Sequence, residues 1–180
     1  AYFAASQPER VKSLTMLGFP FQLVLPPQKP ESLLQEFREA FYVDSVEGLQ
    51  ALYRRAYFKA PTLPTIVLRY NLREIRQYRE SVLQVLREVL ESAPVMVAGL
   101  RQIRVPTLVL HGDTDRVCEA QNGEFWHLHI PQARFHIIPE CGHMPHIEKP
   151  EEVLQQHRML LRAVDTGSRL RHQREAEIER

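Results

Sequence analysis

The sequence predicts a parallel α/β sheet interrupted by an all-helical insertion. Apolar runs at residues 11–19, 103–112 and 133–139 read as strands, and amphipathic stretches separate them. Between residues 30 and 99 no run reads as a strand, so this block reads as a helical unit set into the alternation. A composition of 44% hydrophobic and 25% charged residues suits an ordinary globular protein, and 180 residues suffice for one domain with a core.

Residues 1–10, AYFAASQPER, read as a helix ended by Pro8; they lack the basic start and long apolar run of a signal peptide, so the chain is expected to begin inside a fold. VKSLTMLGF (11–19) alternates apolar with small or polar residues and stops at Gly18–Pro20, as a strand does. Pro20, Pro26, Pro27 and Pro30 make a non-helical connector. Leu33, Leu34, Phe37 and Phe41 then recur at helical spacing, and VEGLQALYRRAYF continues the pattern to Phe58. Pro61 and Pro64 break it, and a long amphipathic segment follows from Ile66 to Leu90.

IRVPTLVLHG (103–112) is a continuous apolar run, the signature of a strand buried on both faces. GDTDRVCE reads as a turn, the stretch around GEFWHLHIP as a short helix, and ARFHIIP (133–139) as a second buried strand. ECGHMPH is a loop. PEEVLQQHRMLLRAV (150–164) is an amphipathic helix with Pro in its first turn. The tail, 165–180, mixes Glu and Arg and reads as a solvated helical extension or a disordered segment. The expected division is thus core helix and strand at 1–29, helical unit at 30–99, core strands and helices at 100–164, and tail.

Charge and composition exclude several roles. The net charge is +1 and the 19 arginines are scattered, so no nucleic-acid partner is expected. Two cysteines, Cys118 and Cys141, do not make a disulfide scaffold and read as reduced thiols; the expected location is cytoplasmic, with attachment to the periphery of a membrane as the alternative. There is no dinucleotide-binding GxGxxG, no P-loop and no zinc-type spacing, so no cofactor or metal is expected.

Parallel sheets carry their sites on loops at the carboxyl ends of strands. Two such loops stand out: HGDTD presents carboxylates and ECGHMPH an imidazole. A buried carboxylate fixes a histidine's tautomer and stabilises its protonated form, so that the histidine can serve a nucleophile as general base. On residue chemistry alone Asp113 and Asp115 compete for the carboxylate role, since turns favour Asp in any case.

The phrases VPTLVLHGDTDRV (105–117), IPQARFHIIP (130–139) and CGHMPHIEKPEEV (141–153) together resemble the ending of α/β-hydrolase fold enzymes. The resemblance covers most of residues 1–164. It implies that Asp115, three residues after Gly112, is the triad acid, and that His143, after Gly142, is the triad base. Glu148 and Pro150 match the family's E-x-P before its last helix. Block 30–99 sits where the family inserts a cap, and FKAPTLP (58–64) looks like the cap of lipases and monoacylglycerol-lipase-like members. No G-x-S-x-G occurs in the chain; family spacing puts the nucleophile roughly seven residues before Ala1, and the oxyanion loop is likewise absent.

The other candidates read as structural. His111, His127, His129, His136 and His146 are expected to be structural or exposed. Ser6 and Ser13 sit in no nucleophile elbow. Cys141 is expected to be a small packed residue, and Cys118 to pack near the acid loop. Tyr42, Tyr53, Tyr57, Tyr70 and Tyr78 are expected to pack within the helical block, although an epoxide hydrolase would use such tyrosines to open its ring.

The resemblance therefore implies a hydrolase of an apolar or lipid-like ester, acting through an acyl-enzyme, with the cap helices supplying the acyl pocket. An aspartate nucleophile would make it an epoxide hydrolase or dehalogenase instead, and carbon–carbon hydrolases and proline iminopeptidases share the scaffold. The third expectation is an inactive fragment or interaction module. Its open sheet edge would then need covering by a partner, a domain swap or a second copy; an N-terminal companion chain would instead mean an enzyme whose two pieces stay associated.

Overall fold

The computed structural model describes residues 1–18, 35, 38 and 42–178, with side chains through residue 166. The proline-rich connector and the helical pattern at Leu33, Leu34, Phe37 and Phe41 lie outside the described residues.

The chain opens with helix α1 (Tyr2–Ser6) and a 3-10 turn (Pro8–Arg10), then enters strand β1 (Leu14–Leu17). Helix α2 (Val46–Ala56) starts where the Ser45 hydroxyl accepts the Gly48 N–H at 3.0 Å; Glu47 in its first turn and Arg54 and Arg55 in its last suit the helix dipole. The sequence pattern carried this helix to Phe58, but it stops at Ala56. The Phe58 N–H leaves the helical ladder and donates to the Glu148 carboxylate instead.

Helix α3 (Thr65–Gly99) begins after Pro64 and runs through Pro94, whose missing N–H removes one rung without ending it. Its first half packs on α2: Leu68 and Leu72 close over Leu49 and Val43. Its far end reaches the main core, where Met96 packs beside Leu100 and Ala4.

Strands β2 (Thr107–Gly112) and β3 (Ala133–Ile138) flank helix α4 (Ala120–His129), and the short helix α5 (Pro145–Glu148) precedes α6 (Pro150–Ile178). Among the described residues all pairing is parallel, in the order β1-β2-β3. Every residue of β2 is buried, because helices cover both faces of the sheet. Val109 meets Trp126, Ile130 and Met16 on one side; Leu108 and Leu110 meet Leu160 on the other. Each such aliphatic side chain contributes roughly 1.5–3 kcal/mol through burial.

One expectation needs correcting. Residues 133–139 read as a buried strand, yet among the described residues β3 pairs only with β2, at the edge of the sheet, and Ile137 is 45% exposed. A continuous apolar run cannot distinguish a central strand from an edge strand covered on one side. The tail takes the helical of its two readings: α6 continues unbroken to Ile178. No described helix is long and apolar enough to cross a membrane.

Candidate active site

β2 and β3 end in register, with Gly112 opposite Ile138, so the loops that follow them leave the sheet side by side. The first loop carries Asp115, whose side chain is fully buried. Its Oδ1 accepts the N–H groups of Val117 (2.8 Å) and Cys118 (2.9 Å), and Oδ2 lies 2.9 Å from Nδ1 of His143. Burial alone would push this carboxyl up. The bonds from His143, Cys118 and Val117 together outweigh that and hold it below its ordinary value. An ionised carboxylate only accepts, so Nδ1 of His143 carries the proton and the neutral ring keeps its lone pair on Nε2. The His143 side chain is 16% exposed, which leaves the ring reachable.

Asp113 does not touch His143. Its Oδ1 accepts the Cys141 N–H at 3.2 Å, while Thr114 donates both its N–H (3.0 Å) and its hydroxyl (2.8 Å) to the Cys141 carbonyl. The residue that competed for the acid role thus fastens the acid loop to the histidine loop.

The histidine loop runs back across the carboxyl ends of the strands. The Cys141 and Gly142 carbonyls lie over Gly112, each only 2.2 Å from where a Cβ would stand. Farther on, the His143 carbonyl lies 2.3 Å from the Cβ position of Gly18, which ends β1 at φ +44°. Only glycine combines that backbone conformation with so close an approach. The imidazole that follows β3 therefore sits over β1. Gly18 read only as a strand stop in the sequence; nothing local marks it as a neighbour of His143.

The other histidines separate. His111, placed among structural or exposed residues, is buried beside the acid: its Nε2 donates to the Cys118 carbonyl at 2.8 Å and lies 3.5 Å from Asp115 Oδ2. The shorter contact is the hydrogen bond. His127 bonds the Ala133 carbonyl, His129 stacks on Phe125, and His136 pairs with Glu152 at 2.8 Å, which ties β3 to α6. His146 is exposed, as is Ser6, and Ser13 lies in the approach to β1. Among the described residues no three His, Cys, Asp or Glu side chains group as a metal site would require.

Cys118 offers its N–H to Asp115, and the buried Cys141 thiol is pushed up to about 12, chiefly by burial and then by the Glu148 carboxylate. A thiol so placed is a poor nucleophile at neutral pH. The tyrosines disperse. Tyr53 accepts from Asn71 and meets Tyr57 edge-on, Tyr42 lies under Arg79, and Tyr70 and Tyr78 are more than half exposed. An apolar cavity of about 380 Å³ opens along α2 and α3, between Leu52, Ile75, Tyr78 and Val82. Neither Asp115 nor His143 lines it.

A family profile described as alpha/beta hydrolase fold matches residues 1–150. Lipase 1 of Psychrobacter immobilis is 25% identical over 154 residues, 83% of this chain and 48% of that protein. A 2-hydroxy-6-oxononadienedioate/2-hydroxy-6-oxononatrienedioate hydrolase of Paraburkholderia phymatum is 29% identical over 161 residues, 85% and 54% of the two chains. In structure, a candidate lipase of Acinetobacter baumannii AYE superposes with a TM-score of 0.76 over 92% of this chain and 57% of its own, at 19% identity. The chain spans about half the length of these relatives.

Proposed function

Because the chain belongs to the α/β-hydrolase fold family, we propose that it supplies the acid and the base of a hydrolase acting on an ester with an apolar part. The observation that carries this reading is the 2.9 Å bond between Asp115 Oδ2 and His143 Nδ1, made by two loops that leave neighbouring parallel strands. Asp115 holds the imidazole in the tautomer with a free Nε2. His143 takes a proton from the nucleophile as it attacks the carbonyl, then returns it to the leaving alcohol. Water repeats the exchange to release the acid. The similarity to a lipase supports an ester as substrate.

The nucleophile, in this reading, comes from outside these 180 residues, which contain no G-x-S-x-G. The strand bearing it would pair along β1. Among the described residues β1 pairs only with β2, and His143 faces the β1 side, over Gly18. That partner would also cover a backbone edge that is otherwise free to pair with other chains.

The Paraburkholderia relative favours a second reading, hydrolysis of a carbon–carbon bond beside a ketone, with the same two residues in the same roles.

The test is intact mass of the native protein after treatment with a fluorophosphonate serine probe. An adduct on a longer form or a companion chain, weakened about 10²–10⁴-fold in rate by His143→Ala, is the expected result. No adduct anywhere, or labelling indifferent to His143→Ala, would overturn the serine mechanism. Comparing an apolar ester with a dienedioate ketone as substrate separates the two readings.

A further inference from the structure

Both loops of the site are fastened to one place in the helical pair, the C-terminal end of α2. Arg55 Nε donates to the Arg116 carbonyl in the acid loop at 2.8 Å. The His143 N–H donates to the Ala56 carbonyl at 2.7 Å. The Glu148 carboxylate spans the gap between the two segments: Oε2 accepts the Phe58 N–H at 2.7 Å and Oε1 accepts the Gly142 N–H at 2.8 Å. The two backbones are in direct contact there. A Cβ on Gly142 would stand 2.5 Å from the Ala56 carbonyl oxygen and 2.9 Å from the Phe58 nitrogen.

Resting on the reading of His143 as the base, we propose that Glu148 is a positioning residue that locks the end of α2 and the histidine loop into one unit, so that movement of the helical pair is felt at the imidazole. The chemistry suits an ionised carboxylate. Two N–H donors from different segments each need an acceptor, and a carboxylate offers one oxygen to each. A glutamine would turn its NH₂ toward one of those donors and lose that bond. The Phe58 N–H has left the α2 ladder to make its contact, so releasing it frees the end of the helix.

The test uses the native protein, together with any longer form or companion chain it carries, isotope-labelled, with NMR as readout. Glu148→Gln should raise amide exchange at Phe58, Gly142 and His143 together, by about 10-fold or more. The Nδ1–H line of His143 should broaden or shift as well, while the Trp126 indole and the His136 ring stay put. Arg55→Ala, which cuts only the tie to the acid loop, should leave exchange at Gly142 unchanged. Unchanged exchange at the three amides overturns the proposal, and so does release of Phe58 alone with an undisturbed His143 ring. A wild-type His143 without a carboxylate-bound Nδ1–H would instead defeat the acid–base reading, and the coupling would still be judged by the three amides. Should Glu148→Gln fail to fold, the wild-type chain decides: one unit requires the three amides to share one opening free energy, and rates more than about 10-fold apart after correction for intrinsic exchange would refute it.

Discussion

The two loops of the site are held in opposite ways. The acid loop holds its own side chain: Asp115 is bonded by N–H groups two and three residues further along the chain. The histidine loop is held by others, through Asp113 and Thr114 of the acid loop, Ala56 at the end of α2, and the space left by Gly18 and Gly112. One functional group is fixed by local turn chemistry and the other by the assembled fold. Changes in the acid loop should therefore act on a side chain, and changes around the histidine loop should act on a whole segment.

The largest effect should come from breaking the local bond. In an active full-length protein, Asp115→Asn should lower kcat by roughly 10³–10⁴-fold, because an amide presents an NH₂ either to the Val117 and Cys118 N–H groups or to His143 Nδ1. Asp113→Asn keeps an oxygen for the Cys141 N–H and should cost less than about 10-fold. Steady-state kinetics on the two variants checks the ranking, and the reverse order would move the acid role to Asp113.

Next in size is a change that touches neither Asp115 nor His143. Gly18→Ala forces an L side chain into left-handed backbone against the His143 carbonyl. A cost of roughly 1–2 kcal/mol from the backbone alone is expected, read as a lower urea midpoint at unchanged m-value. A fall in kcat should accompany it as the loop is displaced. Wild-type midpoint and rate would mean that the histidine loop yields freely.

The smallest effect is a pH dependence that separates buried from exposed electrostatics. Asp115 and Asp44 both have carboxyls held below the ordinary value. In Asp115 burial works against the shift and its hydrogen bonds prevail; in Asp44 the Arg79 hydrogen bond leads. A carboxyl lowered in the folded state stabilises fully above its unfolded pKa, near 4, and loses that contribution as pH falls through the lower folded value. Asp44 is half exposed, so salt should screen its share; the share of the buried Asp115 should survive. Urea midpoints from pH 6 down to about 2, with and without about 1 M salt, compare the two. An acid-side loss abolished by salt would assign it to the surface.

The same contrast explains what the sequence disclosed. Residue chemistry left Asp113 and Asp115 in competition, and only the family resemblance, through the register from Gly112, favoured Asp115, whose Oδ2 lies 2.9 Å from His143 Nδ1. The fully buried β2 was legible as an unbroken apolar run. The partners of the histidine loop were not legible. Glu148 meets the Phe58 N–H across 90 residues of sequence, and no local pattern announces that Gly18 ends under His143. The end of α2 was misjudged for the same reason: Tyr57 and Phe58 have helical character, and a distant carboxylate takes the N–H that would extend the helix. Hydrophobic patterning also failed to reveal that β3 lies at the edge of the described sheet.

The order of the strands has a kinetic consequence. β2 and β3 are joined by a connection holding one short helix, whereas the connection from β1 to β2 is about four times longer and contains α2 and α3. Closing the longer loop costs roughly 1 kcal/mol more in chain entropy. The pair that bears the carboxylate and the imidazole can thus form as an early nucleus, and β1 zips onto it late. The loops bearing Asp115 and His143 would then stand side by side before β1 completes this part of the sheet.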